Sequence, residues 1–126
     1  MTQRPVRQPT AEHPITVTPT GGHVVVLVNG EVVADTRSAL TLQESTYPAV
    51  QYVPLADVDT SLLEPTATTS YCPYKGDASY YSIPVGGSKS VDAIWEYKEP
   101  REAVAGIKDH IAFYPNRVDS IEITPT

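Results

Sequence analysis

The feature that most restricts this chain is Asn29-Gly30, set between His23–Val28 (HVVVLV) and Glu31–Asp35 (EVVAD). A two-residue type I′ turn needs positive φ at both central positions, which Asn and Gly tolerate best. The β-branched runs on either side favour extended backbone. The spacing therefore predicts a hairpin and points to a mainly β fold. Ile15–Thr18 and Leu40–Gln43 alternate apolar and polar residues and predict two more strands, and Val50–Val53 predicts a short one ended by Pro54. Leu55–Leu63 carries a one- or two-turn helical pattern, open to either α or 3₁₀ geometry. Glu64–Gly76, broken by Pro65 and Pro73, reads as a long connection. Ser79–Val85 and Ser90–Lys98 form a second expected hairpin across Gly86-Gly87-Ser88, with Val91, Ala93, Trp95 and Tyr97 on one face. Pro100 suits a first helical turn, and Ala103, Val104, Ile107 and Ile111 make one apolar stripe, so one C-terminal helix ending at Pro115 is expected. Val118–Thr124 alternates and closes the chain as a strand. The expected architecture is mainly β with one packed C-terminal helix.

At 126 residues the chain suits one domain. Residues 1–13 are polar and proline-broken and read as a flexible leader; residues 14–126 read as a single β-rich domain. Fifteen acids outweigh nine bases, for a net charge of −6, and Arg37 is the only base between Glu31 and Cys72. Without a basic stripe to replace phosphate counterions, no nucleic-acid partner is expected. The same argument disfavours acidic membrane surfaces, and the longest aliphatic run, Val24–Val28, is too short to span a bilayer. One cysteine forms no internal disulfide, and MTQRPVRQPTAEHP lacks the apolar run of a secretory signal. The expected setting is the reducing cytoplasm.

Candidate chemistry concentrates in Ser70–Tyr81. Pro73 pushes Cys72 towards an extended conformation, and Gly76 permits a left-handed turn, so Cys72 and Lys75 could face one another. An ammonium beside a thiol favours the nucleophilic thiolate. The plainer alternative is a packed core thiol and a turn lysine. Five of the eight tyrosines (71, 74, 80, 81 and 97) fall close to Trp95, while phenylalanine occurs once. They suit either a polar-edged aromatic pocket or half-buried strand positions. Arg37 suits a carboxylate or phosphate clamp, or a salt bridge to Asp35, Glu44 or Glu64; Glu44 could pair with Arg37 or Lys75. His23, at a strand start, and His110, on the expected helix, lack metal-ligand spacing. Asp57-Val58-Asp59 follows no correctly placed glycine-serine turn, and neither a phosphate loop nor a Gly-x-Ser-x-Gly elbow occurs.

Gly30–Leu40, Tyr47-Pro48, Tyr52-Val53-Pro54, Asp57-Val58, Cys72–Gly76, Ala78–Tyr81, Trp95–Pro100 and Ile111–Pro115 together resemble a family called domain of unknown function 427. The resemblance spans about residues 14 to 120. It departs at Ser70, where the family usually has threonine. It implies a β-tent-like architecture, two small antiparallel sheets leaning together over a cleft. The zinc-binding β-tents use paired Cys-x-x-Cys motifs that this chain lacks, so no metal or other cofactor is carried over. The nucleotidyltransferase-like label sometimes attached to the family finds no matching residues here. The positions matching the family's motifs are Arg37, Glu44, Tyr47, Tyr52, Cys72, Lys75, Gly76, Tyr80, Trp95 and Tyr97.

These residues mix charge with rings, a combination a packed core has little use for, because buried charges are costly unless paired. The expected function is a small-molecule-binding β-domain, open to being an enzyme. Cys72, Lys75 and Glu44 are its catalytic candidates. Arg37, Tyr47, Tyr52, Tyr80, Trp95 and Tyr97 are its ligand contacts, with Arg37 and Lys75 facing an anionic group. The alternative is a non-catalytic interaction or homodimerisation module that uses exposed strand edges.

Overall fold

The computed structural model describes residues 4–125. Ten strands run through them: β1 (Ile15–Pro19), β2 (Gly22–Val28), β3 (Glu31–Thr36), β4 (Leu40–Glu44), β5 (Val50–Pro54), β6 (Glu64–Cys72), β7 (Gly76–Ser82), β8 (Ile94–Glu96), β9 (His110–Phe113) and β10 (Ser120–Pro125). The protein is mainly β, with two antiparallel sheets. One has three strands in the order β10-β2-β3; the other has seven, β1-β4-β5-β9-β8-β7-β6.

The expected hairpin is β2–β3, with φ of 49° at Asn29 and 81° at Gly30. Val24, Val26 and Val28 are buried on one face of β2, as alternation requires. A register irregularity after Val26 lets β3 bury the adjacent Val33 and Ala34. Core residues Val26, Val33, Val53, Ile94, Ile111 and Phe113 pack in one cluster. Their sequence neighbours Tyr52 and Ala112 join a second cluster with Leu42, Tyr97, Val104 and Ile107. Successive side chains on a strand point to opposite faces, so the seven-stranded sheet carries apolar packing on both. β5 and β9, at its centre, are paired only at Val53↔Ile111 and Pro54↔His110.

Three expectations need correction. The C-terminal helix is absent: Glu102–Ile107 is a kinked 3₁₀ segment, with Val104 off helical geometry, and His110–Phe113 is strand β9. Gly106 and the β-branched Val104 and Ile107 weaken a helix that short, and Ile111, Ala112 and Phe113 bury more fully between β5 and β8. Val104, Ile107 and Ile111 are buried but Ala103 is exposed, so the stripe marked burial at three of its four positions and not the geometry. Glu64–Gly76 is not a loop. It contains β6, an exposed edge strand whose Pro65 is tolerated because one edge needs no partner. Thr68 and Thr69 are exposed and the half-buried Thr66 donates to Asp92, so no apolar alternation marks it. The β7–β8 hairpin exists, but its second arm is only Ile94–Glu96 and its connection includes a 3₁₀ segment, Pro84–Ser90; Val91 is exposed. Two other 3₁₀ turns, Leu55–Asp57 and Thr60–Leu62, fall within the short helical pattern the sequence predicts, and a third, Pro115–Arg117, follows β9.

The leader meets the β6–β7 hairpin. Arg7 N donates to Pro73 O at 3.1 Å, Tyr71 OH donates to Pro5 O at 2.6 Å, and Arg4 pairs with Asp77.

Gly76 opens β7 with φ of 113°, and a Cβ there would lie 3.3 Å from Glu99 O. Gly76→Ala is expected to lower unfolding free energy by about 1–3 kcal/mol in urea titrations. A loss below about 0.5 kcal/mol would show that the turn relaxes freely.

Candidate functional site

β4 ends at Glu44, and the tight turn between β6 and β7 carries Lys75. The register Cys72↔Gly76 closes that turn around Pro73-Tyr74-Lys75 and brings Lys75 back over Cys72. Lys75 Nζ donates to Glu44 Oε1, and to Cys72 Sγ at 3.7 Å. His13 Nε2 donates to the other Glu44 oxygen, Oε2, at 2.8 Å. The His13 ring stacks on Tyr74, with centroids 4.4 Å apart, and meets Tyr47 edge-on at 6.0 Å. Lys75 is only 9 % exposed, so its ammonium depends on these acceptors. Burial pushes the Glu44 carboxyl upward. The hydrogen bonds and charges of Lys75 and His13 more than reverse this and hold it below its ordinary 4.5.

This polar cluster is one end of a cavity of about 460 Å³. The other end is aromatic. Trp95 lies 4.5 Å from Tyr114 at a tilt of 47°, and Tyr80 runs parallel to Tyr114 at 6.5 Å. Tyr52 meets Trp95 edge-on, and Trp95 Nε1 donates to Tyr52 OH at 3.1 Å. Tyr80 OH lies 2.8 Å from Ser70 Oγ and 3.5 Å from Tyr114 OH. Arg117 covers the Tyr114 ring, with Cζ 4.6 Å from its centroid. Burial pushes the Tyr52 and Tyr97 hydroxyls far up, and burial with the Tyr80 hydrogen bond pushes Tyr114 up to about 12. At neutral pH these three phenols remain protonated: they can donate hydrogen bonds to a ligand but do not act as bases.

Glu44, Tyr47, Tyr52, Cys72, Lys75, Tyr80, Trp95 and Tyr97, singled out in the sequence, line this one cavity. Arg37 does not: it is exposed just past β3. The five-tyrosine cluster is divided by strand alternation. Tyr71 and Tyr80 line the cavity, whereas Tyr81 points to the other face and donates to buried Glu96 at 2.7 Å. Burial and Glu96 push the Tyr81 hydroxyl up to about 12. Two residues escaped the sequence reading. Tyr114 lay within the Ile111–Pro115 segment of the family resemblance but was not singled out as a site residue, and His13 lay in a leader set aside. His23 instead hydrogen-bonds Asp35, and His110 sits on strand β9 rather than a helix. Among the described residues, no three His, Cys, Asp or Glu side chains cluster as metal ligands, and no helix is long and apolar enough to cross a membrane.

The arrangement places a thiol against a buried ammonium at one end and a stacking platform of rings at the other. That combination suits thiol attack on a small molecule whose flat part rests on the rings.

A family model described as a domain of unknown function (DUF427) matches residues 16–124. No curated protein matches the chain.

Because Glu44 titrates below its ordinary value, its contribution to stability is complete above pH 4.5 and is lost as pH falls through the folded-state value. The stability gap between wild type and Glu44→Gln, from urea titrations at successive pH values, is therefore expected to be widest at neutral pH and to close below pH 4.5. A gap independent of pH would mean that the carboxylate charge is not what Lys75 and His13 hold.

Proposed function

We propose that this chain, which belongs to the family described as a domain of unknown function (DUF427), is a small-molecule-binding β-domain with Cys72 as its nucleophile. The observation that carries this reading is Lys75: a buried ammonium shared between Glu44 and the Cys72 sulfur, on the wall of an aromatic cavity. A charge of this kind is costly in a purely structural role, and such charges cluster at functional sites. We read the architecture as a β-tent. β1-β4-β5 forms one flap and β9-β8-β7-β6 the other, and the cleft opens where β5 and β9 part beyond Val53.

In this reading the ligand's flat part rests against Trp95, Tyr80 and Tyr114, and its reactive or anionic end faces Lys75. In the proposed step the Cys72 thiol loses its proton to water and sulfur bonds to one carbon of an electron-poor double bond. The π pair moves to the far atom, and that atom takes a proton from water. The Lys75 ammonium, 3.7 Å from the sulfur, faces the negative charge that passes through the site. The phenols of Tyr80 and Tyr114 are available as donors to a ligand oxygen. Arg37, exposed and outside the cavity, has no part in the anion contact. A reducing, cytoplasmic setting keeps the single cysteine a thiol. The homodimerisation alternative has less to build on, because the edge strand β6 is blunted by Pro65 and a register irregularity before Thr69.

Alkylation by iodoacetamide at pH 7 tests the reading. Native wild type is expected to be alkylated at Cys72, Cys72→Ser not at all, and Lys75→Met about tenfold more slowly than wild type, the scale of one charge-assisted hydrogen bond. In urea, wild type and Lys75→Met should react alike. A Cys72 that reacts only on unfolding, or a Lys75→Met rate equal to wild type, overturns the proposal.

A further inference from the structure

A second cavity, of about 580 Å³, lies beside the first. The cross-strand pairs Ile121↔Val26 and Ile123↔Val24 of β10 and β2 line one side of it. Val53 of β5 and Phe113 of β9 line it from the larger sheet. Gln51 is the one lining residue with a polar side chain, and its Oε1 is already engaged, accepting from Thr20 Oγ1 at 2.6 Å and Thr41 Oγ1 at 3.2 Å. The space is open to solvent at one side, and its volume falls within the range of small-molecule pockets. Ile123, half exposed, marks its mouth.

Pro48, Val50 and Trp95 line both cavities. β5 and β9 share only two register pairs, Val53↔Ile111 and Pro54↔His110, so no ladder joins them beside Val50 and Trp95. The polar cavity supplies a thiol, an ammonium and a carboxylate; the second supplies a hydrocarbon lining. We infer that the two form a single amphipathic site, in which a ligand held at Cys72 and Lys75 extends a hydrocarbon tail past Val50 and Trp95 into the space between the two sheets. This rests on the ligand reading of the Cys72 cavity and adds the class of molecule: a small amphiphile with its reactive or polar group at one end. Water gains little in the second cavity, where few polar atoms could bond it, whereas each methylene transferred there is stabilised by the hydrophobic effect.

N-alkylmaleimides graded from ethyl to decyl are the probes, and the readout is the labelling rate of Cys72 in the native protein, followed by intact mass. The thiolate sulfur bonds to one alkene carbon, the alkene π pair moves to the other, and that carbon takes a proton from water. The rate is expected to rise about three- to fourfold per added methylene, the transfer gain of one CH₂, until the tail fills the cavity. Urea-unfolded protein should label at one rate throughout the series. Trp95, the only tryptophan, should shift its emission to the blue with the longer chains.

Ala49 lines the second cavity but not the first, and it is exposed. Ala49→Trp is expected to flatten the chain-length series, with circular dichroism confirming the fold. Should that variant unfold, Val24→Phe fills the same cavity from β2 and carries the same expectation. If native Cys72 reacts with none of the probes, the ligand reading of the first cavity fails. If it reacts with all of them equally, the first cavity stands and the amphipathic site is overturned. A stable dimer by light scattering whose labelling rejects long chains would show that a second copy covers the apolar cavity, and would likewise overturn it.

Discussion

The Glu44–Lys75 ion pair holds together segments that no backbone ladder joins. Glu44 ends β4, on one side of the seven-stranded sheet, and Lys75 sits in the β6–β7 turn, at the far edge of the other side. Between them β5 and β9 supply only two register pairs. The ion pair and the Trp95–Tyr52 hydrogen bond therefore bridge the gap with side chains. A buried pair of this kind contributes little net stability, because desolvating both ions offsets most of their attraction. What it does supply is specificity. An unpaired Lys75 at this depth would be far less favourable, so arrangements that separate Glu44 from Lys75 are strongly disfavoured. His13 extends the constraint by occupying the second carboxylate oxygen, which joins the leader to the same point.

How much of this was legible in the sequence depends on which force decided each element. The β2–β3 hairpin was legible because turn chemistry and side-chain alternation agree within a few residues of Asn29-Gly30. β6 was not, because an edge strand with polar threonines on its faces carries no burial pattern, and Pro65 argues against a strand until the edge position is known. The segment from Pro100 to Pro115 was misread for a different reason. Val104, Ile107 and Ile111 do all point inward, but the first two do so from a 3₁₀ segment and the third from a strand in mid-sheet. Helical spacing of apolar residues records burial; pairing with β5 and β8, a long-range interaction, decided the geometry.

The site was legible where its chemistry is local. Cys72 and Lys75 meet across a single turn, and their spacing with Pro73 and Gly76 is enough to predict it. Among contacts made over long separations, Lys75 was one of two partners the sequence allowed Glu44, and the others left no comparable trace. His13 reaches Glu44 across 31 residues, and Tyr114 reaches Tyr80 across 34. Arg37 shows the converse: its charge and its place after a strand suggested a clamp, but β3 belongs to the smaller sheet, outside the aromatic cavity. The tyrosine cluster was half legible, since alternation along β7 sends Tyr80 to the cavity and Tyr81 to Glu96.

The gap between β5 and β9 ties these observations together. An uninterrupted seven-stranded sheet would place apolar packing on both faces with no passage through it. Here pairing stops after two rungs, on the Val53 side; beyond Pro54 the backbone contact continues, with Leu55 N donating to Asp109 O at 2.9 Å. Past Val53 the strands are unpaired. Beyond that point side chains rather than backbone fill the space. Trp95 lines the polar cavity and the apolar one alike, and its ring nitrogen is satisfied by Tyr52. Closing the gap would displace this half-buried ring and break the hydrogen bond from its N–H to Tyr52. The same interaction that stabilises the ring therefore favours the open cleft. For the ligand proposed above, an opening already supported by the native packing would lower the free energy that binding must supply.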